Sequence, residues 1–280
     1  MKKIKLLLCL FMLTTLCGCS NSNKNASSKT LNAAMFWIST SLDPTNNYDG
    51  WVLSRIGVGE TLLKLNEKYE VEPCLAKSYE QIDDTTWKLT LKDSITFSNG
   101  KKVTGENVKA CLERAFEKNT RAIDYFDLNH VEAKGQDIYL YLNKSSGAIL
   151  NNLCEPLFTI YDASQSEEDI ASHPICTGPF VVDDFVSEKT IDTSKNKKYY
   201  DGKAKLDHVH FSQVADSDAR VLALQSGEVD LANTIDYSSL KLFRNNKDYQ
   251  VLEVLGPRTN VIYMNNETTF LSDLDIFAGA

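Results

Sequence analysis

Hydrophobic and polar positions alternate over several short stretches. In Thr86-Trp87-Lys88-Leu89-Thr90-Leu91 the residues Trp87, Leu89 and Leu91 share one face, the period of a half-buried strand. Asp137–Leu142 and His208–Phe211 alternate in the same way. Between them the period lengthens. From Glu106 to Lys118, Val108, Cys111, Leu112, Ala115 and Phe116 fall on one helical stripe, and Thr104 stands where an N-cap is expected. Asp218–Ser226 predicts a second helix with Val221, Leu222 and Leu224 inward and Gly227 just past its end. Asn99-Gly100 and Asp201-Gly202 mark tight turns. The pattern predicts a mixed α/β (α+β) chain without internal repeats.

The N-terminus follows a different pattern. Lys2, Lys3 and Lys5 precede a mostly apolar run, Ile4–Leu16, shorter than the roughly 20 residues of a membrane-spanning helix. Positive start, apolar centre and small-residue end predict an export signal over residues 1–18. Leu16-Cys17-Gly18-Cys19 resembles the bacterial lipobox, which implies cleavage after Gly18 and a diacylglycerol thioether on Cys19. "SNSNKNASSKT" then reads as a disordered tether over 19–30, with nothing larger than Ala26 to bury. No later segment approaches 18 consecutive apolar residues, so the remainder is expected on the outer face of the cell membrane, held by its lipid.

Charge narrows the field. A net charge of −8 and a pI near 5.1 set nucleic-acid binding aside, because such proteins are ordinarily basic. Three of the seven cysteines belong to the signal and lipobox. Cys74, Cys111, Cys154 and Cys176 are widely spaced, without metal-ligand spacing; they read as buried thiols, or as one or two disulfides in an exported protein.

Hydrolase and nucleotide signatures are absent: there is no G-x-S-x-G, H-E-x-x-H or G-x-x-x-x-G-K-[ST]. Gly57-Val58-Gly59 suits a turn or close packing. His208 and His210 share a strand face; an exposed face is the commoner reason, metal binding the rarer. Aromatic residues and arginines are more suggestive. "NNYDGWVLSR" brings Tyr48, Trp51 and Arg55 together, and "KNTRAIDYF" sets Arg121 beside Tyr125 and Phe126. Such groups can hold a small anionic or chelated ligand by stacking and forked hydrogen bonds, or simply fill a core and a solvated surface.

Ordered blocks over about 190 residues resemble the extracytoplasmic solute-binding proteins of ABC importers, in the oligopeptide, dipeptide and nickel family. They are Leu42-Asp43-Pro44, "GVGETLLKL" (57–65), "EPCLAKSYE" (72–80), "TWKLTLKDSITFSNGKKVTGENV" (86–108), "CTGPF" (176–180), "NKKYYDGKAKLDHVHF" (196–211) and "DARVLALQSGEVDLA" (218–232). "YDGW", "FSNGK" and "NTRAIDYF" resemble the nickel and metal-chelate binders, and the resemblance implies a chelate-contacting role for Arg121. It departs from them at Asp124-Tyr125-Phe126, where a tryptophan is expected, and at Leu157, where a second arginine is.

The resemblance implies a periplasmic-binding-protein-like type II clamshell. Its first lobe would comprise 31–58 and 175–250, an extra subdomain 59–174, and the hinge and start of the second lobe 251–280. Relatives are nearly twice this length, so the second lobe is expected to be largely missing and the chain to bind ligand weakly or not at all. The expected function is capture of a small peptide or a nickel or other metal chelate by a monomer, and delivery to an ABC permease and its ATPase, with no catalysis and no cofactor. An exported hydrolase and a truncated, non-functional relic are the alternatives.

Overall fold

The computed structural model describes residues 28–254 and Gly256. Cys19, the signal segment and most of 251–280, expected to hold the hinge and the start of the second lobe, lie outside the described residues. The chain divides into two compact units, the first ending at Ile235 and the second beginning at Asp236.

The first unit contains two main sheets. Strand β1 (Thr30–Met35) occupies the interior of a five-stranded sheet ordered β11-β1-β10-β9-β8. It runs parallel to β10 (His208–Gln213) and to the short β11 (Leu231–Ala232). β9 (Thr190–Lys195) is antiparallel to β10, and β8 (Phe180–Val186) antiparallel to β9. The sequence of β1 explains its place: Ala33 and Met35 face the main core while Ala34 faces a smaller cluster with Ala223 and Val229. A strand buried on both faces needs small or apolar residues at successive positions.

The second sheet, ordered β4-β5-β7-β6, is antiparallel throughout and comprises β4 (Ala76–Gln81), β5 (Thr86–Leu91), β6 (Leu128–Lys134) and β7 (Asp137–Leu142). Leu89, Leu91, Ile138, Leu140 and Leu142 are buried, as the alternation predicts. A small hairpin, β2 (Leu63–Leu65) with β3 (Val71–Pro73), accompanies it. Both sheets contribute to one continuous core.

Helices follow the predicted stripes with one exception. α1 spans Gly50–Arg55, and α2 spans Gly105–Lys118 and packs on β6 and β7. Thr104 caps α2 in a capping box with Asn107, each side chain serving the other's backbone N–H. α3 (Ala122–Tyr125), α4 (Ile149–Asn152), a single 3-10 turn at Pro156–Phe158 and α5 (Glu167–Ser172) are short. α6 spans Ser217–Ser226 and ends on Gly227 at φ 75°. Here the inward set differs from the expected Val221, Leu222 and Leu224. Leu222 is 65% exposed, and Arg220, 3% exposed, takes the inward place. Its guanidinium donates to the carbonyls of Val214, Ala215, Asn233 and Thr234, so four otherwise unserved acceptors are met by one cation. In the second unit, a 3-10 turn (Tyr237–Ser239) precedes α7 (Lys241–Arg244). Residues 236–250, which the sequence reading places with the first lobe, fall in this unit.

Glu60 joins three of the sequence blocks. It accepts from Thr177 Oγ1 at 2.7 Å, Tyr199 Oη at 3.1 Å and Tyr200 Oη at 3.2 Å. Beside it, Gly178 donates to Val58 O at 3.0 Å, so close that a Cβ there would lie 2.5 Å from the Gly57 and Val58 carbonyls. The glycine of "CTG" thus serves backbone approach, whereas in "GVG" Gly57 stands at φ 70° and Gly59 is crowded by the Thr159 and Leu53 side chains. Cys74, Cys111 and Cys176 are buried thiols, and Cys154 is a half-buried one.

The segment leading into α1 hangs from α2. Arg114 makes a forked ion pair with Asp43, 2.8 Å from Nη1 to Oδ1 and 2.6 Å from Nη2 to Oδ2, and donates to Thr45 Oγ1 and Tyr161 Oη. Burial pushes the Asp43 carboxyl up, but the bonds from Arg114 and Thr45 outweigh it and hold it below its ordinary range. Asn119 Nδ2 donates to the carbonyls of Thr45 and Asn47 at 3.1 Å each, and Arg121 Nη1 to Asn47 at 3.0 Å. Asp49 has less support. It is buried, and burial together with the Asp43 charge raises its pKa to about 6 against one hydrogen bond from Asn46.

Two outcomes are expected. Arg114→Met leaves Asp43 buried without its cation and should lower unfolding stability by about 3 kcal/mol in urea denaturation; a loss below ~1 kcal/mol would contradict the arrangement. Asp49 is pKa-raised in the fold, so its favourable contribution is complete below its ordinary value of 3.8 and is lost as pH rises through about 6. Asp49→Asn should therefore stabilise the protein by about 2 kcal/mol at pH 7 and by almost nothing at pH 4. Parallel pH–stability curves for the two proteins would overturn this.

Candidate functional site

The segment pinned by α2 delivers Tyr48 and then α1. At Gly50 a Cβ would lie 2.4 Å from Pro156 O, so only glycine lets α1 lie flush on the Pro156–Phe158 turn. That contact brings Trp51, on α1, to Glu155, which precedes the turn: Trp51 Nε1 donates to Glu155 Oε1 at 2.9 Å. Arg55, one turn along α1, has its guanidinium 5.5 Å from the ring centres of both Trp51 and Phe36.

The third contributor is the α2–α3 junction. Asn119 Oδ1 accepts from the Arg121 backbone N–H at 3.0 Å, which fixes the start of α3. The Arg121 guanidinium lies 3.7 Å from the centre of the Tyr48 ring, and its Nη2 donates to Tyr125 Oη at 2.7 Å. Beneath Tyr125 lies an aromatic floor: Phe158 meets Tyr125 edge-on at 5.7 Å between ring centres, and Phe126 at 5.0 Å. Asn152 Nδ2 donates to the Tyr125 carbonyl.

All five residues singled out in the sequence, Tyr48, Trp51, Arg55, Arg121 and Tyr125, thus gather in one cluster, although they come from segments some seventy residues apart. Tyr48 is 55% exposed and Trp51 38%, which is unusual for core aromatics and apt for rings that await a partner. The sequence reading missed Glu155 and Phe36. Glu155 sits in "CEPLF", where attention fell on Leu157; Leu157 is buried in the core.

The electrostatics are those of a half-desolvated polar group. Burial, then the Glu155 charge, pushes the Tyr125 hydroxyl up to about 12, opposed by Arg121. Burial likewise raises the Glu155 carboxyl, opposed by Tyr125, Trp51 and Arg121. Elsewhere, His210 Nδ1 lies 2.7 Å from Asp192 Oδ1, and among the described residues no group of three or more His, Cys, Asp or Glu side chains is placed to hold a metal ion. No helix among them is long and apolar enough to cross a membrane. What the cluster can do chemically is stack a planar or apolar group on Tyr48 and Trp51 and address its charge through Arg121.

The profile described as bacterial extracellular solute-binding proteins, family 5 Middle, matches residues 70–276. The nickel-binding protein NikA of Staphylococcus aureus is 32% identical over 251 residues, 90% of this chain and 50% of its own length. The glutathione-binding protein GsiB of Escherichia coli O157:H7 is 28% identical over 214 residues, 73% of this chain and 42% of its own. The chain thus spans about half the length of the curated relatives it matches. The crystal structure of S. aureus NikA in complex with Ni(L-His)2 aligns with a TM-score of 0.74 at 32% identity, covering 79% of this chain and 46% of that one. The fold is accordingly a mixed α/β, partial type II periplasmic-binding-protein clamshell. The chain belongs to family 5 of the bacterial extracellular solute-binding proteins, with its likeness directed toward the nickel binders within it.

Proposed function

We propose that this chain is part of the substrate-binding component of an ABC importer, which captures a small metal chelate or peptide outside the cell and hands it to a permease driven by an ATPase. The five-stranded sheet with the helices packed on it would supply the first lobe, and residues 59–174 the extra subdomain. Cys19 carries the lipid that holds the protein at the outer face of the membrane. Binding involves no bond-making step, in keeping with relatives that are binding proteins.

One observation carries the reading: the Arg121 guanidinium, stacked over Tyr48 and bonded to Tyr125 beside the exposed Trp51. An arginine placed over one aromatic ring and bonded to the hydroxyl of another retains donors for a carboxylate while the rings supply apolar area, the combination an organic chelator or a peptide terminus requires. Between the two ligand classes, likeness to a protein crystallised with Ni(L-His)2 favours the chelate.

Calorimetric titration of the protein, purified from the cells that make it, with nickel(II) and two equivalents of L-histidine tests the reading. Arg121→Ala is expected to weaken binding about tenfold, equivalent to ~1.4 kcal/mol, and Tyr48→Ala by less. Equal affinity in Arg121→Ala and the unsubstituted protein would remove Arg121 from the site. For the anchor, Cys19→Ser is expected to abolish the lipid-bearing N-terminus, read as intact mass and detergent partitioning; an unchanged mass apart from the substitution would exclude lipidation there.

A further inference from the structure

The cluster contains two opposite charges that feel one another without touching. Arg121 and Glu155 are both half-buried, yet among the described residues neither belongs to an ion pair. A single residue separates them. Tyr125 Oη accepts from Arg121 Nη2 at 2.7 Å and lies within reach of the Glu155 carboxylate, which also accepts from Trp51 Nε1 at 2.9 Å. The order is cation, phenol, carboxylate, indole.

Each end is held in place by groups that leave its charge intact. Arg121 spends one donor on Asn47 O and one on Tyr125, and stacks on Tyr48. Glu155 is gripped by neutral donors, and Gly50 keeps α1 close enough for Trp51 to reach it. If the cluster existed only to fill space, a buried carboxylate would be an expense without return, since glutamine would serve Trp51 and Tyr125 as well. Held next to a cation it does not pair with, it forms a fixed dipole across the exposed rings.

From this juxtaposition we infer that Glu155 is a specificity-determining residue, which selects ligands without net negative charge whose carboxylate stands beside a positive centre, such as a neutral amino-acid chelate or the zwitterionic end of a peptide, over ligands of net negative charge. Arg121 takes the carboxylate and Glu155 faces the metal or ammonium. Anionic chelates still meet Arg121 but are repelled by Glu155, so discrimination comes from the unfavourable contact as much as from the favourable one. This inference rests on the binding function proposed above.

The test uses three probes on the natively purified protein and on Glu155→Gln: nickel(II) with two equivalents of L-histidine, a zwitterionic dipeptide, and anionic nickel–EDTA. Glu155→Gln should weaken whichever of the first two the unsubstituted protein binds by about tenfold, and tighten nickel–EDTA by a similar factor. Structural damage would weaken all three, so opposite movement identifies a charge effect. The first two probes, a neutral chelate and a zwitterion, distinguish a metal from an ammonium as the positive centre. Glu155→Asp, which keeps the charge on a shorter arm, should preserve the order of preference even at reduced affinity. Movement in the same direction for all probes, or none, overturns the role of Glu155 while leaving the binding function standing. Binding of no probe by the unsubstituted protein overturns both.

Discussion

The forked pair between Arg114 and Asp43 is the constraint on which the site depends. It is mostly withdrawn from water, and such pairs contribute little net stability unless every remaining donor and acceptor is met. Here Thr45 bonds both partners, and Arg114 Nη1 also reaches Tyr161 Oη. Its return is positional. It fixes the segment from Asp43 to Asp49 against α2, and with it the direction in which Tyr48 emerges and α1 begins. Asn119 and Arg121, in the junction that follows α2, continue the same line of attachment, so the Arg121 guanidinium and the loop it stacks on are positioned from one end of that helix. The paired charges specify geometry, and the apolar core beneath supplies most of the stability.

Much of this architecture is legible in the sequence because the physics is local. The strand at Thr86–Leu91, the strand at Asp137–Leu142 and the stripe of α2 follow from side-chain period alone, and Thr104 and Gly227 follow from what helix ends require. α6 shows the limit. An apolar stripe through Val221, Leu222 and Leu224 is a sound prior, but a helix seated at the ends of strands has backbone carbonyls to satisfy, and Arg220 satisfies four of them. Nothing in the local pattern marks that demand.

The site was partly legible for a related reason. Tyr48, Trp51 and Arg55 lie within one short stretch and Arg121 and Tyr125 within another, so each half is visible as an aromatic and cationic concentration. Their meeting is not visible, because it is produced by Arg114 and Asn119 on one side and by the flush packing of Gly50 on the other. Glu155 escaped notice because a lone glutamate before a proline has no pattern; its role comes from Trp51, which reaches it from a hundred residues earlier in the chain.

The interior position of β1 has a consequence for how the molecule is made. Its partners, β10 and β11, lie 178 to 198 residues further along, judging by the bonds Lys29–Asp207 and Asn32–Asp230 that flank the pairing. Such remote partners give the five-stranded sheet a high contact order, and the loop closure it demands is slow. Synthesis releases β1 first, with Ala33, Ala34 and Met35 uncovered, while the antiparallel β4–β7 sheet already has all its partners by Leu142. The middle of the chain can therefore mature on its own schedule, and the first strand must be kept from other edges until the last one arrives.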